Sequence, residues 1–257
     1  MGFEVTYKIN KKMVSFLYQC ISVTRFFSYL KYKKIRRKNK TLFNNKKSDK
    51  VVILGLGPSL NDFDFKSKGL DTIVVNRFVF YDKQKKTQLE PNYYCFADNA
   101  FYNEDLNVLL ESYSYFKNTY FVLNGKYIRN VKNISSSDNV FFGFFQKAFC
   151  DPKKKIDFRK RIPMNVNVVG LAIELALYLG YKEIYLYGLD FTSALTKKFQ
   201  HAYNEEEKID TAPFRITYYY YSLTYEQFHC YDEYAKLRGI KIINKSKISI
   251  VDCFDFD

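Results

Sequence analysis

Two stretches of sequence decide the fold: KVVILGLGPSL at residues 50–60 and LGYKEIYLYGLDF at residues 179–191. Each holds a short apolar run that ends on a glycine, which is typical of a buried strand followed by a tight turn. Helical patterns at 164–179 and 222–238 are stopped by Gly180 and Gly239. Further strand-like runs lie between and beyond these segments, at 72–75, 92–97, 120–123, 140–142 and 240–243.

This alternation of strands and helices predicts an α/β fold, Rossmann-like, with a mostly parallel sheet and helices on both faces. The 257 residues suit one domain of ordinary to large size. We place it at 50–257, with a small lid at about 192–221, preceded by a basic N-terminal helical arm at 1–49. The five cysteines are odd in number and form no C-x-x-C pair, which argues against a disulfide scaffold or a zinc ribbon.

The positive charge of the chain is concentrated in this arm. Residues 1–50 contain 14 Lys and Arg against two acidic residues, whereas residues 51–257 contain 27 against 25. Because the body is nearly neutral, we expect no nucleic-acid groove along the folded domain and no nucleic-acid partner.

The arm combines an apolar-aromatic segment, MVSFLYQCISVTRFFSYL at 13–30, with a basic cluster, KYKKIRRKNK at 31–40. The first is too short and too interrupted for a spanning helix, and no signal-peptide cleavage site follows it. Apolar rings beside cations suit the surface of an anionic membrane, so we expect peripheral membrane attachment through residues 1–49. The alternative is a helix packed on the domain, followed by a solvated linker.

Polar residues follow several of the predicted strands. Asn76, Asp98 and Asp190 each come at or directly after a strand end, and the turn GLGPSL follows the first strand. Since ligands of parallel sheets bind beyond the carboxyl ends of the strands, these positions predict a nucleotide-type site.

The glycine turn matches neither common phosphate-binding motif. Leu60 stands where a dinucleotide fingerprint has its third glycine, no Gly-Lys-Ser/Thr follows, and Asn76 replaces the acid that would bind a ribose diol. What remains is a tight glycine turn that lets a ligand approach the backbone closely and that leads into a helix capped by Ser59. Such a turn suits a phosphate or a ribose oxygen. The alternative is a tight strand-to-helix turn without a ligand.

Candidates for catalysis are few. His201, in a loop after Asp190, is the candidate general base, whereas His229 lies inside a helix and is interpreted as structural. The two D-x-D triplets, at 62–64 and 255–257, are interpreted as helix-end or solvated acids, so no metal and no cofactor is expected. Without a Cys-His or Ser-His-Asp arrangement, hydrolase chemistry has little support. The tyrosines at 218–221, placed before the last helix, could donate phenol hydroxyls to a phosphate or simply pack, and most of them are expected to pack.

The combination of VVILGLGPSL (51–60), VNRF (75–78), Arg161-Ile162 and LGYKEIYLYGLDF resembles the small bacterial sialyltransferases of glycosyltransferase family 42. It equally resembles the broader 6-hydroxymethylpterin pyrophosphokinase-like group, many of which are encoded among surface-polysaccharide genes. The resemblance runs from about residue 50 to 250. It implies inverting, metal-independent transfer of sialic acid or a related keto sugar from a CMP-activated donor to a surface glycan or lipid-linked acceptor. It further implies a role in lipopolysaccharide or capsule biosynthesis at the cytoplasmic face of the inner membrane, and it is compatible with a homo-oligomer.

The resemblance also implies roles for individual residues. Gly55, Gly57, Pro58 and Ser59 fall on the CMP-binding turn, Asn76 on a donor-contacting asparagine, and Arg161 on an arginine near the donor, where it would stabilise the leaving phosphate together with nearby tyrosines. The remaining substrate-binding candidates are Asp98, Asn99, Asn167, Asp190 and Thr192.

This sequence departs from the family pattern at several positions. Leu56 replaces an asparagine of the turn, Ala97 replaces a strand-end asparagine, and Asn167-Val168-Val169 replaces Thr-Ser-Gly. Thr192 replaces a phosphate-contacting tyrosine, and Ser222 aligns with the catalytic histidine. Two alternatives follow: an ATP- and Mg²⁺-dependent pyrophosphokinase-like enzyme with Asp98 and Asp190 at the metal, or a catalytically inactive nucleotide-sugar-binding protein.

Overall fold

The computed structural model describes residues 32–97, 103–146, 148, 150–196, 198–199, 201–203, 208–209 and 213–256. The strands are β1 (Lys50–Leu54), β2 (Asp71–Val75), β3 (Tyr93–Phe96), β4 (Tyr120–Asn124), β5 (Val140–Phe145), β6 (Arg161–Ile162), β7 (Glu183–Tyr187), β8 (Lys198–Phe199), β9 (Lys208–Ile209), β10 (Lys241–Asn244) and β11 (Asp255–Phe256). The α-helices are α1 (Lys33–Lys38), α2 (Phe78–Lys85), α3 (Asn103–Tyr115), α4 (Val168–Leu179), α5 (Ser193–Thr196) and α6 (Phe214–Lys236). Three 3₁₀ helices cover Asn39–Asn45, Pro58–Asp62 and Gly125–Arg129.

Nine strands form one sheet in the order β11-β10-β7-β1-β2-β3-β4-β5-β6, and every neighbouring pair is parallel. From β1 the chain moves outward through β2 to β6, and α4 then carries it back to β7 on the other side of β1. The strand order therefore reverses between β1 and β7, where a crevice opens at the carboxyl edge of the sheet. Strands β8 and β9 form a separate antiparallel pair.

The sheet is buried on both faces. Val51 and Ile53 of β1 belong to the core shared with α4 and α6, whereas Val52 and Leu54 belong to the core shared with α2 and α3. Successive side chains of a strand point to opposite faces, so one apolar run serves both cores. The predicted fold class is confirmed.

Two predicted helix boundaries are wrong. The helix predicted from residue 164 begins at Val168, because the Asn167 side chain accepts a hydrogen bond from the Gly170 amide (3.0 Å) and caps it. The helix predicted from residue 222 begins at Phe214, directly after Pro213. The tyrosines at 218–221 therefore form part of α6 rather than a loop before it.

The predicted boundary between arm and domain at residue 49 is also wrong. Asn39 donates hydrogen bonds to the carbonyls of Phe142 (2.9 Å) and Phe158 (2.8 Å), and Leu42 is fully buried in the core. Residues 33–45 are thus part of the domain. The alternative expects a solvated linker in this stretch, so it is wrong here too. Residues 1–31 lie outside the described part, so membrane attachment through them stays a prediction. In the described part of the chain, no helix is long and apolar enough to cross a membrane.

Candidate functional site

A cavity of about 540 Å³ lies at the carboxyl ends of β1, β2 and β7, in the crevice where the strand order reverses. Its walls come from the glycine turn after β1, the end of β2, the segment before α4, the segment after β7 and the first turns of α6. The lining includes seven of the predicted site residues: Gly57, Pro58, Asn76, Asn167, Asp190, Thr192 and His201. The position of the site at the strand ends therefore follows the prediction.

Of the other predicted site residues, Gly55, Ser59 and Arg161 do not line this cavity. Gly55 and Ser59 lie behind the turn, while Asp98 and Asn99 fall outside the described residues. Arg161 lies on β6, five positions along the sheet from β1, which corresponds to about 24 Å at about 4.8 Å per strand. The expectation that Arg161 lies near the donor is wrong for this cavity, because β6 pairs only with the end of β5.

Asp190 fastens the glycine turn to the end of β7. Its Oδ2 accepts from the Ser59 amide (2.9 Å), and its Oδ1 accepts from the Ser246 hydroxyl. Ser59 Oγ in turn accepts from the Gly188 amide (2.9 Å). Ser59 therefore does not cap the next helix, and that prediction is wrong. Because its amide donates to Asp190, this amide is not free to bind a phosphate. The helix that follows is the five-residue 3₁₀ helix Pro58–Asp62, with Gly57 at its N-cap position.

The glycines of the turn are needed for this close contact. A Cβ on Gly57 would lie 2.3 Å from Asp190 Oδ2, and one on Gly55 would lie 2.5 Å from the Gly188 carbonyl oxygen. Both distances are far below van der Waals contact, so a larger residue would force the turn away from β7. Both carboxylate oxygens of Asp190 thus accept hydrogen bonds from the protein itself. This weakens the alternative in which Asp190 binds a metal.

Two buried amide groups in the lining have an unused polar atom. Asn76 Oδ1 and Asn167 Nδ2 have no hydrogen-bond partner among the described residues. Asn76 has a backbone φ of 44°, a left-handed conformation that asparagine tolerates better than most residues. An unsatisfied buried polar atom costs about 1–3 kcal/mol. Both atoms are shielded from solvent in this structure, so a ligand in the cavity would bond to them only after the side chains turn, and that would relieve this cost.

His201 is held at the wall of the cavity by its neighbours. The Ala202 amide donates to the Leu56 carbonyl (2.8 Å), which ties this loop to the glycine turn. The His201 ring stacks on Tyr203 with ring centroids 5.1 Å apart and planes 7° apart, and Tyr203 is buried against Phe80. His201 thus lines the cavity, while its place in the donor site and its role as a base stay predictions.

One wall was missed by sequence reasoning. Helix α6 contributes Ile216, Thr217, Tyr220, Tyr221 and Thr224, spaced so that they share one helix face. Phe191, which follows β7, packs on Tyr221 with ring centroids 5.3 Å apart and so fixes this wall. The sequence signal for this wall was the run of tyrosines at 218–221, which belongs to helix α6 and not to a loop.

A second feature that the sequence did not indicate lies behind the wall. Glu174 of α4 is completely buried and accepts from Asn165 Nδ2 (2.7 Å) and from the Tyr231 hydroxyl (2.9 Å). Gln227 of α6 donates to Asn165 Oδ1 (2.9 Å) and accepts from the Val166 amide (3.2 Å). Burial raises the pKa of the Glu174 carboxyl from 4.5 to about 8, against the opposite effect of the two hydrogen bonds. This network holds the segment before α4, including the lining residues Val166 and Asn167, against α6.

The fold and the site define a Rossmann-like α/β protein with a ligand cavity at the reversal of strand order. Among the residues whose placement is described, no group of three or more His, Cys, Asp or Glu is arranged to hold a metal ion. No protein-family profile matches the chain, and no curated protein matches it.

Two solved structures are similar to it at low sequence identity. One is an alpha-2,3-sialyltransferase from Campylobacter jejuni in apo form, with a TM-score of 0.46 and 17% identity, covering 82% of this chain and 81% of that one. The other is the MAf glycosyltransferase from Magnetospirillum magneticum AMB-1, with a TM-score of 0.49 and 12% identity, covering 88% of this chain and 38% of that one. At these values neither similarity carries an argument about chemistry.

Proposed function

We propose that the protein is a glycosyltransferase that uses a CMP-activated donor carrying sialic acid or a related keto sugar. The observation that carries the proposal is the cavity at the reversal of strand order, whose lining includes Asn76 and Asn167, two asparagines that each have a buried amide atom without a partner among the described residues. A nucleoside offers both partners: hydroxyl or amino groups that donate to Asn76, and carbonyl or ring-nitrogen atoms that accept from Asn167. The sequence resemblance of residues 51–60 and 179–191 to family 42 sialyltransferases supports the same donor class.

The other polar residues of the wall suit a donor with a single phosphate, to which the carboxylate of sialic acid or Kdo adds a second negative charge. Thr192, Tyr220 and His201 line the cavity, and the described part of its lining contains no Lys or Arg. The single phosphodiester of a CMP-sugar carries one negative charge, which hydroxyl donors can match. Di- and triphosphates are usually held by Arg, Lys or a metal ion, so this wall supports the CMP-sugar over the ATP-dependent alternative.

The proposed reaction is a single displacement that inverts the anomeric centre. The acceptor hydroxyl oxygen attacks the anomeric carbon, and His201 accepts its proton as the C–O bond to the phosphate breaks. CMP leaves with the bonding electron pair, and hydroxyl donors stabilise the added negative charge on its phosphate. The base contributes about 10²–10⁴-fold to the rate. The step uses no metal.

Donor identity is tested by incubating the full chain with CMP-sialic acid, CMP-Kdo, UDP-sugars and ATP, with and without EDTA, and measuring nucleotide release by mass spectrometry. We expect CMP release that survives EDTA. Turnover of ATP or a UDP-sugar only, abolished by EDTA, would establish the pyrophosphokinase-like or another metal-dependent chemistry instead. CMP-sugar binding without turnover on any acceptor would identify an inactive binding protein.

Two variants test the residues. In Asn76→Gly the left-handed backbone is fully tolerated while the amide is removed, so CMP affinity should fall about tenfold or more with no loss of stability. His201→Ala should lower turnover about 10²–10⁴-fold with CMP affinity retained. Calorimetric titration with CMP and a turnover assay separate the two effects. Unchanged CMP affinity in Asn76→Gly would remove the amide pair from the donor site.

The location of the enzyme is part of the same proposal. Residues 1–31, apolar-aromatic and basic in sequence, would attach the protein peripherally to the cytoplasmic face of the inner membrane. The acceptor would then be a lipid-linked or surface glycan of lipopolysaccharide or capsule. Vesicle binding by the full chain, lost on deletion of residues 1–31, is the expected result.

A further inference from the structure

The first turns of α6 extend beyond the body of the protein and expose large apolar side chains. Phe214, Tyr218 and Tyr219 are 61%, 65% and 58% exposed, and Leu195 of the adjacent α5 is 74% exposed. Farther along the same helix, Phe228 and Tyr231 are completely buried in the core. We call the four exposed residues, Leu195, Phe214, Tyr218 and Tyr219, the overhang patch.

The overhang patch lies beside the mouth of the cavity, at the carboxyl edge of the sheet. Ile216 and Tyr220, which belong to the same helical turns, line the cavity itself. Phe214 and Tyr218 stack on each other with ring centroids 5.9 Å apart, so they form a continuous apolar surface. None of the four residues of the patch lines the cavity.

The N-terminal segment outside the described residues joins the domain at this same edge. The Tyr32 ring stacks on Phe144, near the carboxyl end of β5 (centroids 5.6 Å apart), while Lys38 donates to the Val140 carbonyl (3.0 Å) at the start of β5. Helix α1 therefore runs antiparallel to β5, and Tyr32, the first described residue, lies at the carboxyl edge. β5 is four positions from β1, or about 19 Å along that edge.

We propose that the carboxyl edge of the domain is a membrane-binding surface, with the overhang patch seated in the interface of an anionic bilayer. Tyrosine and phenylalanine rings suit this zone, since their apolar bodies insert while the phenol hydroxyls stay hydrated. Exposed cations lie at the same edge: Lys33 and Lys34 follow Tyr32, and Arg215 follows Phe214 of the overhang patch. Two separate features, the apolar and basic segment that joins at Tyr32 and the exposed rings of α6, thus share one edge.

This arrangement places the mouth of the cavity at the level of the lipid headgroups. On the proposed transferase function, on which this step alone rests, the acceptor would be carried by a lipid. The binding surface itself requires no assumption about the donor or the reaction.

The chain contains no tryptophan, so a single introduced tryptophan reports on its own surroundings. Tyr218→Trp places the probe in the overhang patch. Leu237→Trp is the matched control, because Leu237 is 64% exposed at the other end of the same helix, next to the strand starts. The full-length variants are mixed with vesicles of phosphatidylcholine and phosphatidylglycerol, with or without brominated acyl chains.

We expect a blue shift and about twofold or stronger quenching by brominated lipid for Tyr218→Trp, with neither change for Leu237→Trp. Vesicle binding that leaves the fluorescence of Tyr218→Trp unchanged would overturn the proposal, since residues 1–31 alone would then bind the lipid. A blue shift without vesicles that grows with protein concentration would also overturn it, because a second copy would then cover the patch.

Affinity gives an independent test. The triple variant Phe214→Ser/Tyr218→Ser/Tyr219→Ser should partition onto the same vesicles at least tenfold more weakly in sedimentation, while its CMP affinity is unchanged. Equal partitioning of the triple variant and the parent chain would refute the proposal. The vesicles contain neither donor nor acceptor, so failure of lipid binding is distinguishable from failure of the proposed sugar transfer.

Discussion

The buried carboxyl of Glu174 makes the stability of this protein depend on pH in a way that one substitution should remove. Its hydrogen-bond partners allow either protonation state. When Glu174 is ionised, Tyr231 and Asn165 both donate to it. When it is protonated, its hydroxyl donates to the Tyr231 oxygen, and the Tyr231 hydroxyl donates to Asn165 Oδ1 at 3.0 Å. In Glu174→Gln the amide reproduces the protonated pattern permanently.

The size of the effect follows from the pKa of this carboxyl. Burial raises the pKa of Glu174 from 4.5 to about 8 in the folded protein. The folded state therefore binds more protons than the unfolded state between these values, and the free energy of unfolding falls as the pH rises. The free energy of unfolding falls by about 1.36 kcal/mol per pH unit and levels off near pH 8, so the loss between pH 6 and pH 9 is about 2–3 kcal/mol. The charged state is the costly one here, since the causes that shift this pKa include no cationic side chain of the described residues.

Urea unfolding of the parent chain and of Glu174→Gln, each at pH 6, 7, 8 and 9, measures this term. The titratable groups packed around the site, Tyr231 and Cys150, are common to both chains, and the difference between the two profiles isolates Glu174. We expect similar stability at pH 6 and a variant that is about 2–3 kcal/mol more stable than the parent at pH 9. A difference that does not change with pH would refute the reasoning.

Two further predictions concern the turn and the domain boundary. Gly57→Ala should lower the free energy of unfolding by about 1–3 kcal/mol and weaken CMP binding, because its Cβ would lie 2.3 Å from Asp190 Oδ2. Urea unfolding measures the stability, and calorimetry measures the CMP affinity. Unchanged stability would mean that the turn does not need this close contact. Leu42→Ala should cost about 2–5 kcal/mol, since Leu42 is fully buried in the main core, whereas the exposed Lys40→Ala serves as a control within about 0.5 kcal/mol. Equal stability of these two variants would place residues 33–45 outside the cooperative domain.

The sheet was predictable from the sequence because its strands are buried on both faces. Continuous apolar runs such as 51–54 and the glycines that end them are local signals, and local signals also placed the cavity at the strand ends. Asn76 was identifiable for the same reason: it follows β2 directly, and the strand end alone fixes its position beside the glycine turn.

What the sequence did not reveal depends on contacts between distant segments. Ser59 looks like a helix cap when only its neighbours are considered, but Asp190, 131 residues away, takes its amide. The tyrosines at 218–221 have no polar-apolar alternation that separates helix from loop, and Thr217, Tyr220, Tyr221 and Thr224 become a wall only once α6 starts at Phe214. Arg161 matched a short pattern of the resembling family, whereas its position is decided by the pairing of β6 with the outer edge of β5.

Helix α6 connects the features that the sequence left hidden. Its middle holds Gln227 and Tyr231 in the Glu174 network. One side of its first turns lines the cavity, and another side carries Phe214, Tyr218 and Tyr219 of the overhang patch. Since one rigid helix spans all three, a bilayer that seats the patch would also restrain the cavity wall opposite Asn167. The Glu174→Gln variant separates these contributions, because it changes the buried network and leaves the exposed start of α6 untouched. If the network positions the wall, the CMP affinity of the parent chain should fall relative to that of Glu174→Gln between pH 6 and pH 9, since titration of the CMP phosphate near pH 6 affects both chains equally. Vesicle binding of the two chains should remain equal throughout.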